Sequence, residues 1–540
     1  MPGPRHSWRH GGHGAGPALP ARQLHPRQIL TIVAAGLGVF VVALDVLIAN
    51  VALPDIQRDF GVGESGLQWV VTAYSIGMSV FVMAAATFAD RFGRRLVYAV
   101  GISVFTACSV AAGLAPDLGV MAVARALQGV AAAAVTVSSL ALVSSAFPDK
   151  SDRAKAIGLW TGVATIASPL GPTLGGFLTA AVSWRAVFLV NVPVGVLALA
   201  LTFGYVSESR AEQTHGFDWG GQLLFAVSVG ALAYAFIQGQ NFGWTSPLIL
   251  ALLAVGVAGL AVFGRYEHGL PNPMMDVRLF GSRTYTVALV TAFSAFFGVY
   301  GMLLVVTQYV QNVEDYSPEL AGLLIFPFAL TLMVLSPVAG RLVARHKALP
   351  IARIGQPLLV AGLTIIAVSM PVSVYLVAAG LFVTGAGTAL LVIPITSLAV
   401  GSVPPDRAGM ASGIFSAQRA IGSTFGFAVL GTVLAVWLGG TLDAALREAV
   451  PETQARQAVT DRIIQEANPF AYVAEVGPGR PLPAPTPGQR EAIVTAARKD
   501  FIRASQLSVA TGAAFCAVTA VLFWTLARVP PDQKPDVSPA

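Results

Sequence analysis

Leu44-Asp45-Val46-Leu47-Ile48-Ala49-Asn50-Val51-Ala52-Leu53-Pro54 closes an apolar run that begins near Ile29 and sets a carboxylate deep inside it. A charged side chain at the centre of a membrane-length helix costs about 2.5–3.5 kcal/mol on insertion scales. Asp45 is therefore expected to face a cavity or a partner rather than lipid. Counted over the apolar runs of the chain, it is the only acidic residue well inside one. The other runs read as a framework that alternates the access of this carboxylate between two sides of a membrane.

Composition leaves little choice of class. Hydrophobic residues make up 55% of the 540 and charged ones 11%, against roughly 25% charged in soluble domains. With a mean hydropathy of +0.70, an all-α polytopic membrane protein is expected. The net charge of +6 follows the loops, so no nucleic-acid partner is implied. Cys108 and Cys516 both fall in apolar runs, which argues against a disulfide framework or a metal site. His6, His10, His13, His25, His215, His268 and His346 all lie in the tail or in loops, so the chain is not expected to be a membrane enzyme. Residues 1–28 are rich in Pro, Gly, His and Arg and are expected to be a disordered tail. No cleavable signal peptide is expected, because the polar lead is long and the first apolar run exceeds an h-region.

Fourteen runs approach the twenty or so residues that cross a bilayer: 29–52, 67–88, 97–115, 119–146, 156–181, 186–205, 219–239, 247–264, 284–308, 319–340, 353–370, 373–398, 408–437 and 504–527. With the N-terminus inside, the inner segments hold 21 of the 33 Lys and Arg, while the short outer loops hold only Arg58 and Arg185. Both termini are thus expected in the cytoplasm. The long outer loop 438–503 holds 8, and Arg125 and Arg419 lie inside helices. Ser151-Asp152-Arg153-Ala154 leads into the fifth run as Pro405-Asp406-Arg407-Ala408 leads into the thirteenth. That repeat makes runs 1–6 and 9–14 equivalent halves with runs 7 and 8 inserted between them. The expected organisation is a cytoplasmic tail (1–28), an N-terminal six-helix bundle (29–205), inserted helices with their loops (206–283), a C-terminal six-helix bundle (284–527) and a second cytoplasmic tail (528–540). Internal repeats of this kind build secondary transporters, with the site between the halves.

Three motifs carry more chemistry. Ala86-Thr87-Phe88-Ala89-Asp90-Arg91-Phe92-Gly93-Arg94-Arg95 is a tight basic inner loop, in which Asp90 can pair with arginines. Arg125, Gln128 and Ala132 share one face of the fourth run, which suits either an inward-facing polar site or a structural arginine. In Ser168-Pro169-Leu170-Gly171-Pro172-Thr173-Leu174-Gly175-Gly176, small residues at Ala167, Gly171 and Gly175 let two backbones approach closely.

Together these residues resemble the fourteen-helix drug:proton antiporter family (EmrB/QacA type) of the major facilitator superfamily. Asp90-Arg91-x-Gly93-Arg94 resembles its signature loop, with Ala86 where glycine usually opens that motif. Gly171-Pro172-x-x-Gly175-Gly176 resembles its antiporter motif. The Leu-Asp at residues 44–45 with Asn50-Val51-Ala52-Leu53-Pro54, the Asn191-Val192-Pro193-Val194-Gly195 stretch, and Arg407-Ala408-Gly409 with Ser412-Gly413 continue the likeness over about residues 29–437 and the last run. The resemblance implies two six-helix bundles plus two inserted helices, and efflux of amphiphilic small molecules coupled to protons. The rivals are a dedicated exporter of an endogenous lipid, siderophore or antibiotic and, in a different class, a channel or a membrane enzyme. No cofactor is expected, since no P-loop is present and the proton gradient would drive the cycle.

Asp45 and Arg125 are the expected proton-coupling pair, a permanent structural ion pair being the alternative. Asn50, Gln128, Phe296, Phe297, Tyr300, Gln311, Phe415, Gln418 and Arg419 are expected to line the substrate cavity. Spans 9–14 offer no carboxylate in mid-helix, so the cargo is expected to be neutral, zwitterionic, monocationic or anionic rather than dicationic. The loop 438–503 is expected to be a flexible insertion or a docking site for an envelope partner, and membrane lipid surrounds the rest.

Overall fold

The computed structural model describes residues 26–61, 64–165, 167–210, 218–271, 273, 275–316, 318–345, 347–403, 408–453, 456–457, 459–460 and 487–527. A bilayer core gives backbone groups no partners, which leaves helices as the natural element for runs this apolar. Thirteen of them, among the described residues, are long and apolar enough to cross a membrane. They are α1 (Pro26–Phe60), α2 (Glu64–Phe92), α3 (Arg94–Gly113), α4 (Leu118–Ala146), the consecutive pair α7 (Trp184–Leu189) and α8 (Asn191–Tyr205), α9 (Trp219–Phe242), α10 (Pro247–Gly269), α11 (Arg283–Asn312), α12 (Pro318–Arg345), α13 (Ala348–Ser369), α14 (Val374–Gly401), α15 (Ala408–Ala445) and α16 (Pro487–Leu526). The expected fifth span occupies two shorter helices, α5 (Lys150–Thr165) and α6 (Ala167–Ala181), which completes fourteen. The helix α1 starts at Pro26, where a missing N–H does no harm, so it takes in the end of the expected tail; residues 1–25 lie outside the described residues.

The two sets of six pack alike. α2 crosses α4 as α12 crosses α14, and α3 packs on α4 and α8 as α13 packs on α14 and α16. α1 meets α4 and α8 as α11 meets α14 and α16. The halves touch through α2 with α15 and through α12 with α5 and α6. Under the repeat these two seams are one contact seen twice. Both rely on small residues: a Cβ at Gly413 would sit 3.0 Å from Ala86 Cβ, and one at Gly158 only 2.7 Å from the Ser336 carbonyl oxygen. The small side chain of Ala86 is tolerated because its partner across the seam is a glycine. α9 lies against both α2 and α15, with Phe236 5.0 Å from Phe425 between ring centres. α10 packs on α9, and much of its other surface is exposed.

One expectation changes. α15 and α16 contain 38 and 40 residues, roughly 60 Å each at 1.5 Å per residue, about twice the hydrocarbon thickness. They therefore run on into the segment read as a flexible loop. Leu442, Leu446, Val459, Ile493 and Ala497 form a small apolar core there. Arg456 pairs with Asp443 at 2.9 Å, and Arg498 pairs with Glu314 at 3.0 Å, tying the extension to the α11–α12 connection. Its ends are ordered helix; residues 461–486 lie outside the described residues.

Candidate functional site

Asp45 sits on α1 with no exposed surface, and Arg125 on α4 is 1% exposed. Arg125 Nη1 donates to Asp45 Oδ2 and, at 2.8 Å, to Gln128 Oε1. Gln128 Nε2 donates to Asp45 Oδ1 at 3.0 Å and to Ser109 Oγ at 2.7 Å. Asn191 Nδ2 does the same at 2.8 and 3.1 Å. The sequence explains how Asn191 arrives there. Pro193 has no N–H for the Leu189 carbonyl, and its ring crowds that oxygen. The helix breaks at Val190, and Asn191 opens α8 beside Asp45.

The arrangement is built for an ionised carboxylate. Asp45 accepts three hydrogen bonds, one of them from a cation, which is what a buried charge needs to offset its lost hydration. The Arg125 Nε donates to the Val70 carbonyl at 2.9 Å, and its guanidinium lies 4.4 Å from the Tyr74 ring centre. Of the amide atoms around Asp45, Asn191 Oδ1 is buried and accepts nothing among the described residues.

A central cavity lies between the halves, with about 180 Å³ open to the centres of water-sized molecules. Its wall is mostly apolar, and Arg419 is the only charged residue on it among the described residues. Asp45 does not line it, but its α1 neighbours Val42, Ala43, Val46 and Leu47 do, as does Tyr74. The charge pair is thus one layer behind the cavity wall.

The expected cavity residues divide. Phe296, Tyr300 and Arg419 are on the wall. Phe297, one residue and about 100° around the helix from Phe296, instead packs on Phe515 at 5.1 Å between ring centres. Phe415 is fully buried in the core, and Gln128 belongs to the Asp45 network. Gln311 and Gln418 are half-buried away from the wall, and the side chain of Asn50 lies outside the described residues.

The motif loop closes on itself and on the end of α8. Arg94 pairs with Asp90 at 2.9 Å, while Arg91 is exposed with its guanidinium over Phe92. Gly93 has φ 119°, a conformation that side chains disfavour. A Cβ there would also meet the Glu208 carboxylate at 2.6 Å. That carboxylate accepts from Arg95 N at 3.0 Å and Leu96 N at 3.2 Å, capping α3. In the antiporter motif, a Cβ at Gly171 would lie 2.5 Å from Leu47 Cβ, so glycine sets the approach of α6 to α1. Gly175 is buried and Gly176 half-buried, and the side chain of Pro172 lies outside the described residues.

Asn191, Ser109 and Glu208 were not singled out as site residues. An amide two residues before a proline inside an apolar run was the available signal for Asn191. Ser109 and Glu208 carry none, because serines recur throughout the helices and Glu208 lies in a loop.

A family model described as Major Facilitator Superfamily matches residues 35–427. The chain is 49% identical over 497 residues to Multidrug resistance protein Stp of Mycobacterium tuberculosis, covering 92% of this chain and 91% of that one. It is 39% identical over 503 residues to Drug efflux pump JefA of the same organism, covering 93% and 98%. Among solved structures, the proton:xylose symporter XylE bound to 6-bromo-6-deoxy-D-glucose superposes with a TM-score of 0.60 at 13% identity, covering 93% of this chain and 96% of that one.

Proposed function

The chain belongs to the Major Facilitator Superfamily, and we propose that it is a proton-driven exporter of amphiphilic drugs or similar small molecules, working by alternating access. The observation that carries this reading is the sealed Asp45 network one layer behind a cavity shared by two equivalent halves. Relatives named as a multidrug resistance protein and a drug efflux pump support the direction of transport. The Lys and Arg distribution supports a cytoplasmic membrane location with both termini in the cytoplasm. The proton gradient supplies the energy, and no cofactor takes part.

The cycle turns on two occupants competing through one wall. A proton on Asp45 removes the charge that holds Arg125, and the acid then needs an acceptor. A half-turn of the Asn191 amide supplies it, because Oδ1, now unpartnered, takes the place of Nδ2. α1 carries Asp45 on one face and Val42 and Val46 on the cavity wall. Loosening its ties to α4 and α8 therefore reshapes the space that the cargo fills. Cargo in that space favours the opposite arrangement, and the proton leaves.

The test uses proteoliposomes with a pH dye inside. Adding amphiphiles evokes proton movement with the wild type, independently of a sodium gradient, and none with Asp45→Asn. Equal flux in both proteins would remove Asp45 from the coupling role; flux that follows sodium would replace the proton.

A further inference from the structure

Two arginines lie near the centre of the molecule, Arg125 buried and Arg419 half-buried, and among the described residues only one is answered by a carboxylate. Arg125 has Asp45. Arg419, on α15, has no carboxylate partner among the described residues. Its guanidinium lies 4.6 Å from the Phe296 ring centre and 5.4 Å from that of Trp160. Its Nε is buried without a hydrogen-bond acceptor. On the same wall, the hydroxyls of Thr136, Ser336 and Tyr74 are also buried without partners.

A cation kept in an apolar space without a counter-charge is an expensive arrangement. It is accounted for when the charge arrives with the cargo. We propose that the cavity takes organic anions bearing a single negative charge on a flat aromatic body, with Arg419 as their counter-ion. This rests on the export reading above and narrows its cargo. A guanidinium fork matches carboxylate, sulfonate and phenolate oxygens, and the orphaned hydroxyls lie on the same wall as further donors. The ring of Phe296 stacks on Tyr300 at 6.0 Å between centres, and Tyr300 meets Phe427 edge-on at 5.6 Å, giving a planar ligand aromatic surfaces to lie against. One cation balances one charge: a dianion leaves a charge unmatched, and a cation meets Arg419 head-on. The Asp45 charge does not oppose the anion, being paired off the wall.

The placement also links recognition to movement. Trp160 belongs to the N-terminal half, while Arg419 and Phe296 belong to the C-terminal half. An anion on this guanidinium would sit at the seam between the halves.

The experiment uses the purified full chain in detergent and three probes with one pyrene body: pyrenebutyrate, its methyl ester, and a pyrenebutyl-trimethylammonium ion. Binding is read by energy transfer from tryptophan to pyrene. The wild type binds the carboxylate at least tenfold more tightly than the ester, and the ammonium ion most weakly. In Arg419→Gln the carboxylate-to-ester ratio falls to near one, and Arg419→Lys retains part of it. Thermal unfolding of each variant identifies any that has not folded, and the Lys form then decides. Equal binding of carboxylate and ester by the wild type, or a ratio unchanged in Arg419→Gln, overturns the proposal. Proton flux evoked by the uncharged ester separates this from the export reading: flux without anion preference refutes only the anion site. Anion preference that depends on Arg419, with no flux from any probe, refutes only the export.

Discussion

Removing the Asp45–Arg125 pair as a unit separates its structural role from its proposed part in coupling. Asp45→Leu alone leaves Arg125 buried with a backbone carbonyl and the Gln128 amide oxygen as its remaining acceptors. Arg125→Met alone leaves a buried carboxylate with two amide donors. Breaking one side of a buried pair costs about 3–5 kcal/mol. In the double variant no uncompensated charge remains, and Gln128 and Asn191 still reach Ser109 at 2.7 and 3.1 Å. Its loss is held to about 1–2 kcal/mol, the scale of one or two weakened hydrogen bonds. Unfolding in detergent, followed by tryptophan fluorescence, should therefore rank the double variant above both singles. Substrate-evoked proton flux in proteoliposomes should nonetheless be absent from all three. A double variant that recovers flux along with stability would reduce the pair to a packing device. One that is destabilised by the sum of the singles would show that the two charges do not answer each other.

Glu208→Gln removes the charge that caps α3, with an expected loss of about 1 kcal/mol; amide exchange at residues 95–96 should quicken while that around Asp45 does not. Gly158→Leu drives a side chain into the Ser336 backbone at the α5–α12 seam, so transport should fall below a tenth of wild type, and undiminished transport would show that this seam does not move. Hydrogen bonds from Arg185 and Trp184 hold the Asp59 carboxyl below its usual value of 3.8. That contribution is present above pH 3.8 and lost as the pH falls through the lowered value, so wild type and Asp59→Asn should unfold at different temperatures at pH 7 and converge only at greater acidity. One proton entering for one monoanion leaving moves two charges per cycle, at about 2.3 kcal/mol per charge per 100 mV. With no pH gradient, a clamped 100 mV potential should thus drive about 2,000-fold accumulation of an anion and about 50-fold of a neutral cargo; equal ratios would refute the anion stoichiometry.

The helices and their repeat were legible because membrane crossing demands long apolar runs and loops advertise themselves by charge. Asp45 and Arg125 were legible for the converse reason, since a charge in such a run is rare enough to require a partner. Which partners complete the network was not. Asn191 reaches Asp45 across 146 positions only because Pro193 breaks the helix at Val190, and that geometry depends on how α8 packs on α1. The cavity wall shows the same limit. Phe296 and Phe297 are indistinguishable by composition, yet a turn of one residue sends the first to the cavity and the second to α16. The extension of α15 and α16 was obscured by its charged residues, although Arg456 pairs with Asp443 and five apolar residues of the extension form a small core.

On the proposed reading, the buried Arg125 and the half-buried Arg419 divide the work of the transporter between them. Among the described residues, every side chain bonded to Asp45 belongs to the N-terminal half, so the charge state of that network can change without either half moving. Arg419 belongs to the other half and stacks on Trp160 across the interface, so its surroundings change whenever the halves rock. The proposed proton and cargo sites are therefore in different places. What joins them is α1, with Asp45 behind the wall and Val42 and Val46 upon it, and Tyr74, whose ring covers Arg125 on one side and whose side chain borders the cavity on the other. Coupling so arranged would require no contact between cargo and carboxylate, only a wall one side chain thick that cannot suit both occupants at once.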